Sequence, residues 1–215
     1  MRRASPRLGD EARGARRLGV FGGSFDPPHE GHLFVARAAR EERGLDHVLW
    51  VPAARPPHKP DRVLAADAQR AHMLELLLAD EPACSIWTVE FAREGPSYTI
   101  DTLHALRAEL PEVELFLLLG TDNLPGFPRW HRAREILALV TPVVVPRAGA
   151  PADPEELAAL PEAERRALAE AVLDRPPVEV SSTELRARLA AGADHERVPP
   201  ALREYLAQSG IYRDR

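Results

Sequence analysis

The sequence of 215 residues has little chemistry for cross-linking, because it contains a single cysteine, Cys84. One cysteine cannot form an intramolecular disulfide, and it excludes a metal site built from several cysteines. The sequence also lacks a run of about eighteen apolar residues, and no apolar signal segment follows its basic start. We therefore expect a cytoplasmic protein that has no membrane partner.

Lysine is equally scarce, since Lys59 is the only lysine among 28 basic side chains. Residues 1–17 carry six arginines and two acidic side chains, and subtracting these from 28 and 33 leaves 22 basic and 31 acidic side chains. An acidic body does not favour binding to nucleic acid. The arginine-rich start shows no apolar periodicity, so we interpret residues 1–17 as a disordered extension and residues 18–212 as a single domain.

Short apolar runs alternate with helical patterns along this domain. The predicted strands are 17–21, 47–52, 84–89, 113–120 and 141–146, with a sixth at 178–180, and the predicted helices between them are 31–43, 66–79, 98–109 and 130–139. This alternation is typical of an α/β fold with a doubly wound parallel sheet of five or six strands and helices on both faces. Ligands of such sheets bind beyond the carboxyl ends of the strands.

The carboxyl-terminal part of the chain is predicted to be helical. Residues 147–177 show only a weak apolar stripe, which favours a surface helical insert. Ser181 and Ser182 are predicted to cap the next helix, and Gly210 is predicted to end a final helix that begins at 199–200.

One stretch, residues 22–32 with the sequence GGSFDPPHEGH, concentrates glycines, prolines and histidines where the first strand meets a helix. It has neither the third glycine of a dinucleotide fingerprint nor the lysine of a Walker loop. Its histidines are three residues apart, rather than the four of a zinc-protease helix. Close backbone approach at the glycines and imidazoles near a helix start indicate a phosphate-binding site.

The stretch resembles the HxGH signature of the nucleotidylyltransferase superfamily, in the form found in bacterial nicotinate-nucleotide adenylyltransferases. Later motifs agree in order, and the resemblance spans residues 18–212. The segments that carry it are PPHKP at 56–60, REGPSYTIDTL at 93–103, LLGTDNLPGFPRWHRAREIL at 118–137 and VSSTELR at 180–186. The resemblance implies a Rossmann-like fold.

The resemblance also implies an ATP site, with His32 beside the α-phosphate and His29 close to it. Arg186 completes the expected catalytic set and would hold the β- and γ-phosphates together with Ser182 and Thr183. The backbone near the glycine pair would complete the phosphate cradle, through Gly22, Gly23, Ser24 and Phe25. Mg²⁺ is expected to arrive with ATP, and the sequence shows no carboxylate pair typical of a dedicated metal site.

A second set of residues is implied for a pyridine mononucleotide. Trp130 is expected against the pyridine ring, amides at Thr99 and His131 against its carboxylate, and Asp122 against ribose hydroxyls. Lys59 is expected to contact the phosphate of the mononucleotide or the triphosphate, and His58 is a weaker candidate.

These sites imply adenylyl transfer from ATP to nicotinate mononucleotide, which yields nicotinate adenine dinucleotide and pyrophosphate. The sequence shows no nucleophile motif such as GxSxG, so positioning and charge stabilisation are expected to carry the reaction. Two alternatives stay open: a nicotinamide-mononucleotide or pantetheine-phosphate adenylyltransferase, and a nucleotide sensor without catalysis. The sequence is compatible with a homo-oligomer.

Overall fold

A computed structural model describes residues 7–57, 63–150, 157–177, 179–193 and 196–213. In these residues five parallel strands form one sheet in the order β3-β2-β1-β4-β5. The strands are β1 (Arg17–Gly23), β2 (His47–Pro52), β3 (Cys84–Ile86), β4 (Glu114–Gly120) and β5 (Thr141–Val145). The predicted α/β fold with a parallel sheet is confirmed.

The sheet separates two apolar cores, as expected for strands that are covered on both faces. Successive side chains of a strand point to opposite faces, so Leu49 and Val51 of β2 lie in one core and Val48 and Trp50 in the other. One face is covered by α1 (Asp10–Gly14), α4 (Thr99–Glu109), α5 (Ala133–Leu139) and α6 (Glu162–Glu170). The other is covered by α2 (Glu30–Arg43), α3 (Asp67–Leu77), α7 (Ser182–Ala190) and α8 (Pro200–Ser209).

Several predicted helix ends are confirmed. Gly44 and Gly210 follow α2 and α8 with φ of 57° and 61°, a left-handed conformation that glycine adopts without strain. The Ser181 hydroxyl caps α7 by accepting a hydrogen bond from the Glu184 amide at 3.2 Å. No helix in the described part of the chain is long and apolar enough to cross a membrane.

The amino-terminal segment corrects one prediction. Residues 1–6 lie outside the described residues, but the interpretation of 7–17 as disordered is wrong. Leu8, Ala12 and Ala15 are buried in the core beside α4, and Arg13 donates to the carbonyl of Leu8 at 3.2 Å. Their spacing of four and three residues forms a short apolar stripe that the surrounding arginines obscure in the sequence.

The segment 147–177 also differs from the predicted surface insert. Leu157, Leu160 and Leu168 are buried in the core, so this segment covers part of the sheet. Next to α6, the amide of Leu173 donates to the carbonyl of Val144 in β5 at 2.8 Å. The apolar positions were too sparse to reveal a buried face, and residues 151–156 lie outside the described residues.

Three local boundaries differ from the predictions. The strand predicted at 84–89 ends at Ile86, because a 3₁₀ helix follows at Val89–Ala92. The helix predicted at 130–139 begins at Ala133, after a 3₁₀ helix at Thr121–Arg129 that contains two prolines. Glu179 and Val180 are not part of a strand, and the remaining residue of the predicted sixth strand, Val178, lies outside the described residues.

The strand order places a crevice beside β1. The chain runs outward from β1 through β2 to β3, and then returns to the other side of β1 through β4 to β5. The loops after β1 and β4 therefore leave the same edge of the sheet in different directions, which is where doubly wound sheets bind ligands.

Candidate active site

A tight turn joins β1 to α2 and forms the centre of the crevice. Phe25 has a φ of 47° and a buried ring, and a Cβ atom added to Gly23 would lie 2.9 Å from that ring. A side chain at position 23 would therefore displace the buried ring of Phe25. A Cβ atom on Gly22 would meet no described atom within 4 Å, which leaves the backbone there open to a ligand.

A buried arginine that sequence reasoning missed holds this turn in place. Arg70 is 0% exposed and lies on α3. Its guanidinium donates to the carbonyl oxygens of Ser24 at 2.8 Å, Ala53 at 2.6 Å and Ala65 at 3.0 Å. One side chain thus joins the turn after β1 to the turn after β2.

The two histidines of the motif lie together at the start of α2. Their ring centroids are 3.7 Å apart, and the amide of His29 donates to Nδ1 of His32 at 3.2 Å. His29 is 0% exposed, and its ring nitrogens have no hydrogen-bond partner among the described residues. Buried donors of this kind suit an incoming anion.

The electrostatic surroundings keep both histidines neutral. Burial, together with the nearby positive charge of Arg147, lowers the pKa of His29 to about 3. Burial lowers the pKa of His32 well below its usual value, with further effects from His29 and Arg147. A neutral imidazole still offers one N–H to a phosphate oxygen.

Arg147 is a second residue that sequence reasoning missed, and it lies two residues after the end of β5. Its amide donates to the Thr121 hydroxyl at 2.9 Å and its guanidinium to the Val180 carbonyl at 3.1 Å. These hydrogen bonds fix the positive charge of Arg147 beside the histidines. The signal in the sequence was an arginine at the carboxyl end of a buried parallel strand.

The start of α7 lies against the same turn. The Ser182 hydroxyl donates to the carbonyl of Pro27 at 2.9 Å, and Arg186 donates to the carbonyl of Asp26 at 2.6 Å. Arg186 also donates to the Thr183 hydroxyl at 3.0 Å. The structure thus brings the three residues predicted for the β- and γ-phosphates next to the turn that carries the histidines.

A cavity of about 200 Å³ opens on the other side of the turn. Its wall includes Thr99 at the start of α4, Trp130 and His131. The His131 ring lies against Tyr98, with centroids 4.4 Å apart, and the Trp130 ring lies 5.1 Å from that of Phe127. The turn forms a shared wall, through Gly22, Gly23 and Ser24.

The last predicted residues are Asp122, His58 and Lys59. Asp122 is exposed, and its neighbour Asn123 lines the cavity. The Asp122 carboxylate is 3.8 Å from Arg147 Nε and accepts from Asn123 at 3.3 Å, between the two halves of the crevice. His58 and Lys59 lie outside the described residues.

This geometry agrees with the comparisons to known proteins. A family described as Cytidylyltransferase-like matches residues 20–188. A probable nicotinate-nucleotide adenylyltransferase from Gloeobacter violaceus is 43% identical over 198 residues, which cover 91% of this chain and 96% of that protein. A protein of the same name from Salinibacter ruber is 42% identical and covers 91% and 97%.

The chain belongs to the nicotinate-nucleotide adenylyltransferase family. The resemblance identified from the motifs is confirmed. The structure of Plasmodium falciparum nicotinic acid mononucleotide adenylyltransferase complexed with NaAD matches with a TM-score of 0.73, at 18% identity, over 92% of this chain and 97% of that one. This match supports the Rossmann-like fold.

This member of the adenylyltransferase family also has a buried carboxyl group in its cavity wall. Glu90 accepts a hydrogen bond from the Thr102 hydroxyl at 2.7 Å, and Thr102 accepts from Arg93 at 2.7 Å. Burial raises the pKa of Glu90. The hydroxyl of Ser97, which also lines the cavity, accepts hydrogen bonds from the amides of Ala54 and Arg55 at 2.9 and 3.0 Å.

Metal ligands are not clustered in the described part of this adenylyltransferase-family chain. Within residues 7–57, 63–150, 157–177, 179–193 and 196–213, no group of three or more His, Cys, Asp and Glu residues could hold an ion. Cys84 lies half-buried in β3, and burial raises the pKa of its thiol. A neutral thiol in a strand suits packing better than nucleophilic catalysis.

Proposed function

We propose that this protein transfers the adenylyl group of ATP to nicotinate mononucleotide, releasing pyrophosphate and forming nicotinate adenine dinucleotide. The observation that carries the proposal is the arrangement of two half-sites around one turn. His29, His32 and Arg186 lie on one side, and Thr99 and Trp130 line the cavity on the other. Family membership supports the same chemistry.

The proposed reaction forms one phosphorus–oxygen bond and breaks another. A phosphate oxygen of the mononucleotide attacks the α-phosphorus of ATP, and the bond to the bridging oxygen of the β-phosphate breaks, so that pyrophosphate leaves with the electron pair. Positioned donors are sufficient for such a transfer, since the enzyme forms no covalent intermediate. We assign His32 to the α-phosphate, where its N–H stabilises the developing negative charge.

The triphosphate is proposed to lie between the histidines and α7. Ser182, Thr183 and the amides at the start of α7 offer donors, and Arg186 offers a planar guanidinium for the β- and γ-phosphates. Mg²⁺ is proposed to enter as part of the ATP substrate. The charge of Arg147 lies close enough to lower the pKa of His29, and we propose that it also attracts the triphosphate.

The mononucleotide is proposed to occupy the cavity. Trp130 would stack on the pyridine ring, and the amides at Thr99 and His131 would meet its carboxylate. Thr99 begins α4, and the start of a helix favours negative charge. Contacts of Asp122 with ribose and of Lys59 or His58 with phosphate stay predictions. A cytoplasmic location and the lack of a nucleic-acid partner stay predictions from the sequence, which is also compatible with a homo-oligomer.

A substrate panel tests the proposal. Purified protein is given MgATP with nicotinate mononucleotide, nicotinamide mononucleotide or phosphopantetheine in turn, and pyrophosphate release is measured. We expect the highest kcat/KM with nicotinate mononucleotide, because the acid gains most from the amides at the helix start. Equal or higher activity with phosphopantetheine would contradict the proposal. A lack of turnover with all three acceptors would favour the alternative, a nucleotide sensor without catalysis.

A pair of variants tests the role of the histidines. His32→Ala is expected to lower kcat at least a hundredfold, because a donor aimed at developing charge is lost. His72→Ala is the matched control, since His72 lies at the surface of α3 beside Glu75 and is expected to be dispensable. Turnover of His32→Ala within a few-fold of wild type would refute the assignment.

A further inference from the structure

The carboxyl group of Asp26, within the motif turn, is bound by a residue near the far end of the chain. Asp26 is 1% exposed, and its Oδ1 accepts from the hydroxyl of Tyr212 at 2.6 Å and from the amide of Ala65 at 3.2 Å. Tyr212 is 2% exposed and lies 186 positions along the chain, just after α8. A buried carboxylate needs such donors to remain in place.

The same turn carries the contacts of the triphosphate half-site. The carbonyl of Asp26 accepts from Arg186 at 2.6 Å, and the carbonyl of Pro27 accepts from Ser182 at 2.9 Å. His29 follows two residues later, at the start of α2. The backbone at Asp26 therefore connects the guanidinium of Arg186 to the start of α2, which carries the imidazoles.

Tyr212 also contacts α3, because its hydroxyl lies 3.9 Å from Met73 Sδ. A residue that served only to pack α8 against α3 would need the phenyl ring but not the hydroxyl. The hydroxyl is instead directed at the one carboxylate of the turn, at a short hydrogen-bond distance. This direction links the carboxyl-terminal segment to the geometry of the turn.

We propose that Tyr212 is a positioning residue of the ATP half-site, which acts through Asp26 to hold the turn against Arg186 and Ser182. This inference deepens the proposed function and rests on it. It assigns a role in the triphosphate site to a residue that lies outside the two motif segments of that site, 22–32 and 180–186. The part of the turn that lines the mononucleotide cavity, residues 22–24, is held by Arg70 through the carbonyl of Ser24, and Glu90 and Thr102 form another part of its wall.

Tyr212→Phe removes only the hydroxyl and is the principal test. We expect kcat/KM for ATP to fall about tenfold, since a short hydrogen bond to a buried carboxyl group is lost. The KM for nicotinate mononucleotide should stay within twofold of the wild-type value. Tyr205→Phe is the matched control, because Tyr205 lies on α8 with its ring against His72 and should change neither parameter.

A second variant guards against a folding defect. Asp26→Asn keeps an oxygen that can accept from Tyr212 and Ala65, and is expected to retain more activity with ATP than Asp26→Ala. Thermal melting identifies any variant that does not fold. Unchanged ATP kinetics in Tyr212→Phe, or equal losses for both substrates, would overturn the inference.

Titration calorimetry with MgATP alone separates this inference from the proposed function. If the wild type binds ATP without transferring its adenylyl group, weaker binding by Tyr212→Phe supports the inference although the proposed function fails. If the wild type is active and Tyr212→Phe binds ATP equally well, only the inference fails. A wild type that does not bind ATP overturns both.

Discussion

Replacing His29 with a residue that does not titrate should make the protein less sensitive to acid. The pKa of His29 is lowered to about 3 in the folded protein, chiefly by burial and then by Arg147, whereas the usual value is 6.5. The unfolded chain therefore binds a proton near pH 6.5 that the folded protein does not bind. Stability from this histidine is present above pH 6.5 and is lost progressively as the pH falls towards 3.

The magnitude follows from the linkage of protonation to folding. Each pH unit between the two pKa values costs about 1.4 kcal/mol of the free energy of unfolding. Between pH 7 and pH 5 the unfolded state gains about 2 kcal/mol from this group. Wild type should thus lose about 2 kcal/mol more stability over that interval than His29→Gln.

Urea denaturation is measured at pH 7, 6 and 5, and unfolding is monitored by tryptophan fluorescence. The comparison uses the difference between pH values for each protein, so groups present in both proteins cancel. His72→Gln serves as the control, because the ring of His72 is exposed on α3. If His29→Gln and wild type lose the same stability between pH 7 and pH 5, the argument for a buried neutral His29 is refuted.

Three further predictions test the cores and the two half-sites. Leu8→Ala and Leu168→Ala should each lower the free energy of unfolding by about 2 to 5 kcal/mol, because both side chains are buried. If urea denaturation shows a loss of less than about 0.5 kcal/mol in the free energy of unfolding, these side chains are not part of the core. Trp130→Ala should raise the KM for nicotinate mononucleotide about tenfold and leave the KM for ATP within about twofold, as stacking on one ring is lost. If steady-state kinetics instead show a higher KM for ATP and an unchanged KM for nicotinate mononucleotide, the pyridine ring does not stack on Trp130. Arg186→Lys should raise the KM for ATP about tenfold, since an ammonium cannot replace a planar guanidinium that also binds Asp26. An unchanged KM for ATP would remove Arg186 from the triphosphate site.

The strands of the sheet and most of the helices that cover it could be predicted, because each has a local pattern of apolar, capping or turn residues. β4 and β5 contain continuous apolar runs, at 115–119 and 143–145, and Gly44 ends α2 with a positive φ that favours glycine. The start of the chain and the segment around Leu168 were misjudged. Their apolar residues are few, and whether a sparse stripe is buried depends on the surface it meets.

The candidate site divides in the same way. Its phosphate-binding character followed from residues 22–32, because the open backbone at glycines and the position of the histidines at a helix start are set by neighbouring residues. The roles of Arg147, Arg70 and Tyr212 did not follow, since each depends on contacts between distant elements. Arg147 reaches Thr121 from the end of another strand, and Arg70 reaches Ser24 from α3.

The sequence by itself therefore determined the elements, their order and the residues that meet a phosphate. Only the tertiary structure decided which side of the turn each residue faces, how deeply the histidines are buried and which distant side chain holds Asp26. The physical reason is that conformational preferences act over a few residues, whereas burial, charge and hydrogen bonding depend on every element that folds against the turn.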